Sequence, residues 1–225
     1  MIVAADPNPR AFGGLLRRRP CWVPSLRGWL LFLVCFVGLA VAVFFGLYPF
    51  LAVNRPVKAD VLVVEGWVAD YALAFTAREF HAGHYTRLYS TGGPLSKGSY
   101  LIKYKTFADL GALTLRALDL DSNAVVAVPA PESRLDRTYQ SALALRKQLS
   151  ESAQTVKAIN VVTIGAHARR TRLIYQHAFG DGMAIGVIAV PHADYDCKRW
   201  WRFSAGWRDV VGESCGYVYA RLFSP

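Results

Sequence analysis

Three spacings of hydrophobic positions follow one another along the chain. Residues 29–53 are apolar with no charged residue among them. From residue 59 onward, short β-branched runs alternate with segments whose apolar positions recur every three to four residues. The run ADVLVV at 59–64 reads as a strand buried on both faces of a parallel sheet. A helix is predicted over about 70–81, where Leu73, Ala77 and Phe80 share a face. The spacing then predicts a strand at 87–90, a turn at Thr91-Gly92-Gly93-Pro94, a helix over about 106–118 and a strand at 124–128. A helix over about 138–150 turns Ala142, Leu145 and Leu149 inward, and a strand at 158–164, a helix over about 168–179 and a strand at 184–190 follow. The last stretch, 200–222, carries Trp200, Phe203, Trp207, Val210, Val211, Val218 and Leu222 at helical spacing, and is expected to be one helix covering a face of the sheet. Strict strand–helix alternation with right-handed crossovers gives a doubly wound, mostly parallel α/β domain in three layers.

The apolar run changes the picture from a soluble domain to an anchored one. About 20 apolar residues span a bilayer, whereas a cleavable signal carries an apolar region of only about 7–15, so an uncleaved transmembrane helix is the better reading and cleavage the alternative. Arg10, Arg17, Arg18, Arg19 and Arg27 stand before the run against Asp6 alone; Arg55 and Lys58 follow it. The positive-inside rule then places the N-terminus in the cytoplasm. The expected organisation is a basic cytoplasmic tail (1–28), a single span (29–53), a linker (54–58) and a domain (59–225) outside the cytoplasmic, or inner, membrane.

Composition narrows the partners. With 53% hydrophobic and 19% charged residues in 225, disorder is excluded. The formal net charge is +10; without the five arginines and Asp6 of the tail, +6 is left on the outer domain, which points, outside the cytoplasm, to lipid headgroups, phosphorylated lipid intermediates or anionic wall polymers rather than nucleic acid, with a merely soluble basic surface as the alternative. The four cysteines, Cys21, Cys35, Cys197 and Cys215, have neither metal-ligand nor disulfide-framework spacing. A continuous helix between Cys197 and Cys215 would hold them beyond disulfide reach.

In an open parallel sheet the ligand lies beyond the carboxyl ends of the strands. The residues there are Glu65, Gly66 and Trp67; Thr91, Gly92 and Gly93; Arg137 and Thr138; His167, Arg169 and Arg170; and His192 with Asp194. Gly92 and Gly93 allow close backbone approach to an anion, and Arg137, Arg169 and Arg170 supply charge-assisted donors at helix starts, so a phosphate or pyrophosphate is the natural occupant. The alternative is a plain turn and a solvated arginine face. His167 is the candidate general acid or base, with Glu65 to orient it or act beside it. No metal site is expected, since Glu65, His167, His192 and Asp194 lack a local ligand spacing.

ADVLVVEGW, STGGP, DRTYQSALAL and VVTIGAHARRTR behind an N-terminal anchor resemble the envelope-associated family of unknown function that includes ElyC, SanA and YdcF, over most of 59–190. The chain departs from that family at Glu65 and Trp67, where glycines are usual, and at Arg137-Thr138-Tyr139-Gln140-Ser141. The resemblance implies a Rossmann-like fold and a role in cell-envelope biogenesis, near peptidoglycan or polysaccharide precursors or their lipid carrier. It brings no settled reaction; S-adenosylmethionine binding by some relatives is a minor alternative. The expected function is binding, with hydrolysis or transfer left open, of a phosphorylated lipid or sugar at Glu65, Gly66, Thr91, Gly92, Gly93, Arg137, Thr138, His167 and Arg170. The rival expectation is a non-catalytic scaffold for envelope-synthesis proteins, with the crevice plugged by Trp67. The chain has no GxSxG, Walker loop or GxGxxG, which disfavours the corresponding enzymes.

Overall fold

The computed structural model describes residues 10–11, 16–17, 24–96, 103–152 and 155–223. Arg18, Arg19 and Cys21 lie outside these. The chain divides into two compact units, Met1–Phe45 and Gly46–Pro225. The first holds a short antiparallel pairing of Arg10–Ala11 with Leu16–Arg17 and most of helix α1 (Leu26–Leu51). Among the described residues α1 alone is long and apolar enough to cross a membrane, with a mean hydropathy of 2.9 over its most apolar window.

The second unit is a doubly wound α/β domain. Its strands are β1 (Val61–Glu65), β2 (Arg87–Gly92), β3 (Val125–Pro129), β4 (Ala158–Ile164) and β5 (Ala184–Val190), paired in parallel in the order β3-β2-β1-β4-β5. Between them run α2 (Asp70–Ala82), α3 (Phe107–Ala117), α4 (Arg137–Ser150) and α5 (Ala168–Phe179). Strand alternation sorts the core into two layers. Leu62, Val64, Leu88, Val162 and Ile188 pack with Ala72, Leu73 and Ala77 of α2 and Ala112 and Leu115 of α3. Val61, Val63, Tyr89, Val161 and Ile185 face Ala142, Leu145 and Leu149 of α4 and Tyr175 and Ala178 of α5. Strand order reverses between β1 and β4, which is the topological switch point of the sheet.

The C-terminal stretch departs from the single helix expected over 200–222. A 3-10 turn, Cys197–Arg202, is followed by extended Phe203 and then α6 (Ser204–Phe223). Nor does α6 cover the sheet, because both sheet faces are already taken by α2 to α5; it packs on α5 and on the turn before it. Of the expected inward stripe, Trp200 and Val210 are buried, while Phe203, Trp207, Val211, Val218 and Leu222 are exposed. Cys197 and Cys215 are free, as is Cys35, but a broken helix rather than a continuous one separates the first two.

The globular unit also begins before residue 59. Leu51 is buried, Tyr48 donates to the Cys197 thiol at 2.9 Å, and Phe50 packs edge-on against Tyr217. The expected linker is docked rather than loose: Arg55 pairs antiparallel with Val187 of edge strand β5. Buried Asn160 of β4 clamps Val57, accepting from its N–H and donating to its carbonyl, both at 2.8 Å. Gly186 makes this possible, since a Cβ there would lie 1.9 Å from Asn160 Oδ1 and 2.7 Å from Val57 N. Gly186→Ala is therefore expected to lower stability by about 1–3 kcal/mol, read as a shifted urea midpoint at unchanged slope.

Candidate functional site

Glu65 closes β1 and His167 follows β4, so the two strands flanking the switch point deliver them to one place. Gly165, at φ 44°, starts the 3-10 turn Gly165–His167; this left-handed conformation suits glycine and brings the imidazole back over the strand ends. Glu65 Oε2 lies 3.5 Å from His167 Nε2. The same oxygen accepts from the hydroxyls of Thr163 and Thr171, which restore part of the hydration that burial removes.

On the other side of the imidazole stands Glu213 of α6. Its Oε1 accepts from His167 Nδ1 at 3.0 Å, and its carboxylate holds Arg170 in a two-point pair at 2.7 and 3.0 Å. Arg170 Nη2 lies 2.9 Å from His167 Nδ1, two donors converging on one carboxylate. The cluster is two carboxylates against two cations, nearly removed from water, and its charges cancel internally. Burial pushes the His167 pKa down, but the Glu65 and Glu213 carboxylates outweigh it and raise it to about 9. For Glu213, burial raises the pKa and the His167 and Arg170 contacts lower it further, to about 2. Glu65 is likewise held below the usual carboxylate range, against the cost of burial, chiefly by His167 and then the Thr163 hydroxyl.

His167 Nε2 is buried and faces the Glu65 carboxylate at 3.5 Å, beyond the usual length of a strong hydrogen bond. The histidine lines an open crevice of about 970 Å³ at the carboxyl edge of the sheet. Trp67, 42% exposed, lies edge-on to the imidazole with ring centroids 5.1 Å apart. It forms part of the crevice wall and does not plug it.

The crevice gathers Glu65, Thr91, Gly92, Gly93, Arg137, Thr138, His167 and Arg170, but they do not all present free chemistry. Gly66 is off the wall: a Cβ there would meet the Phe107 carbonyl at 2.3 Å, so this glycine admits the start of α3. Gly92 serves the same contact, its Cβ position lying 2.7 Å from Phe107 Cβ, whereas at Gly93 nothing comes nearer than 3.6 Å. Thr91 is buried and its hydroxyl is shared with the Tyr175 hydroxyl at 3.2 Å. Arg170 is committed to Glu213. Arg169 lies outside the crevice, its guanidinium 3.9 Å above the Phe50 ring. Arg137 and Arg134 are exposed at the crevice wall. The N-cap of α4, Asp136, makes no side-chain capping bond, which leaves the first amides of that helix open. Among the described residues no His, Cys, Asp and Glu group is arranged to hold a metal; His192 and Asp194 form a separate contact at 3.9 Å.

Sequence reasoning missed Glu213. Its one signal is spacing: it lies three and seven residues after Val210 and Gly206, both buried, and so shares their inward face. No protein-family model matches the chain, and no curated protein matches it.

The network fixes a pH window. The raised His167 pKa contributes stability that is fully present below about pH 6.5 and lost as pH rises through about 9. The lowered Glu213 pKa contributes stability present above about pH 4.5 and lost as pH falls through about 2. The urea midpoint of the wild type should therefore fall between pH 6.5 and 9, and His167→Gln should remove that slope. Glu213→Gln leaves the buried His167 imidazolium and the half-buried Arg170 guanidinium facing one carboxylate and is expected to cost about 3 kcal/mol, with the His167 imidazole titrating at lower pH by NMR.

Proposed function

We propose that this chain is a membrane-anchored, extracytoplasmic protein of cell-envelope biogenesis whose crevice binds a phosphorylated lipid or sugar. The observation that carries the binding half is the juxtaposition, in one crevice, of two exposed arginines, Arg134 and Arg137, the uncapped start of α4, open Gly93 and the His167 imidazolium. A phosphate has oxygens enough to use guanidiniums and helix amides together. Leu95, Leu135, Ile174 and Tyr219 on the same wall suit the apolar or sugar remainder of such a ligand. Volume supports this too, since about 970 Å³ lies within the range of small-ligand sites. The anchor half rests on α1 and on the arginines before it, and the envelope role on the resemblance to the ElyC, SanA and YdcF family.

His167 is the residue equipped for chemistry. As an imidazolium it is held between two carboxylates, Nδ1 on Glu213 and Nε2 toward Glu65, and it lines the crevice; a proton donor to a departing phosphate or alcohol would come from this group once a ligand displaces the Nε2–Glu65 contact. Arg170 acts through Glu213 as a positioning residue. This revises the role expected from sequence, where Arg170 was a direct ligand.

Calorimetry on the full chain in detergent, with a short-chain prenyl phosphate, a hexose 1-phosphate and S-adenosylmethionine, tests the reading. Arg137→Ala is expected to weaken phosphate-ligand binding about 10- to 100-fold, the scale of one charge-assisted hydrogen bond. His167→Gln is expected to abolish any turnover with a smaller loss of binding. Binding of S-adenosylmethionine alone would replace the phosphate reading, and a C-terminal reporter active only in the cytoplasm would overturn the topology.

A further inference from the structure

Helix α6 carries an apolar side that is largely exposed. Trp207, Val211, Val218 and Leu222 are 46%, 44%, 54% and 68% exposed, and Tyr219 and Phe223, one step around the helix, are 47% and 69% exposed. The first four are spaced by four, seven and four residues and so share one side. The acids of the helix are turned elsewhere: Asp209 accepts from the Tyr195 hydroxyl and Glu213 belongs to the buried network. At the N-terminal end of this face stand Lys198, Arg199, Arg202 and Arg208, all exposed and in no ion pair among the described residues.

We propose that the Cys197–Arg202 turn and α6 form a membrane-binding surface, which beds its apolar side chains into the headgroup region of an acidic lipid bilayer while the four cations meet the lipid phosphates. A contiguous exposed apolar face rimmed by charge marks an interaction surface. Tryptophan, aliphatic side chains and a basic border together are the signature of an element lying in the bilayer interface. Uncompensated positive charge selects acidic lipid over a second copy of the chain, because two copies meeting on this face would bring the same cations together. Chain continuity favours the same occupant: Gly46–Leu51, the end of apolar α1, belongs to the globular unit and already packs on α6 through Phe50 and Tyr217. The supply of a bilayer rests on the anchor reading above; the surface itself does not.

The test places a nitroxide at Val218→Cys, and as control at exposed Lys147→Cys on α4, in the full chain with its native cysteines replaced by serine. Samples are nanodiscs of phosphatidylcholine alone and of a phosphatidylcholine–phosphatidylglycerol mixture. The expected result is that the label at 218 gains accessibility to dissolved oxygen and loses accessibility to an aqueous nickel chelate in the acidic discs, whereas the label at 147 stays aqueous. Reversing Lys198, Arg199, Arg202 and Arg208 to Glu should return the label at 218 to water. A label at 218 that is aqueous in both lipids, or shielded equally in both with dipolar broadening from a second label, overturns the proposal; the latter outcome assigns the face to a second copy. Carbonate extraction reads the anchor separately. If the chain is extracted, the anchor reading fails and vesicle flotation reads the surface instead. Retention by phosphatidylglycerol vesicles, lost about 100-fold or more in the four-Glu variant, then supports it, and no flotation overturns it.

Discussion

A parallel sheet whose strands are apolar on both faces must be covered twice, and in this chain four helices do all of the covering. That constraint settles where everything else can go. With α2 and α3 on one face and α4 and α5 on the other, α6 has no sheet left to occupy and is displaced to the rim. There it supplies a wall of the crevice through Cys215, Gly216 and Tyr219 and brings Glu213 to the switch point. The same displacement leaves its remaining apolar side chains facing outward. Crevice, ion network and exposed face are thus three results of one shortage of surface.

The ion network is what makes that displaced helix specific in its placement. Buried charge pairs contribute little net stability compared with apolar packing, but removing one partner is costly, so α6 is held wherever Glu213 can reach both His167 and Arg170. β1, the turn after β4, α5 and α6 each contribute a member. The arrangement also sets the protonation of His167, since a carboxylate on either side keeps the imidazole charged at neutral pH. The site that the sheet topology assembles is therefore tuned by a helix that packs chiefly on α5 and the neighbouring turns.

Much of this was legible in the sequence. The apolar runs and helical spacings locate the five strands and four covering helices to within a few residues, because each is a local pattern with a local cause. The strand-end rule likewise brings Glu65 and His167 together across more than a hundred residues of chain. What was not legible depends on competition between elements. The stripe on 200–222 has the spacing of a covering helix, and nothing local says that the sheet is already full. Gly66 and Gly92 look like anion-binding glycines, yet the approach of α3 is what requires them. Arg170 looks like a ligand residue until Glu213, 43 residues later in the chain, claims it.

The way the chain enters the domain has a mechanical meaning. Residues 48–57 are fastened in series: Tyr48 to Cys197, Phe50 to Tyr217, Arg55 to the free edge of β5, and Val57 to the Asn160 amide. Tension arriving along α1 would reach these fastenings before any strand of the sheet. The first to carry load lie on the turn and helix at the rim, and the last on β4 itself. Pulled from its N-terminal side, the protein would peel at α6 and the β5 edge while the central strands stayed paired, so tension on the segment that joins the apolar helix to the domain would open the crevice on its α6 side before it loaded the sheet.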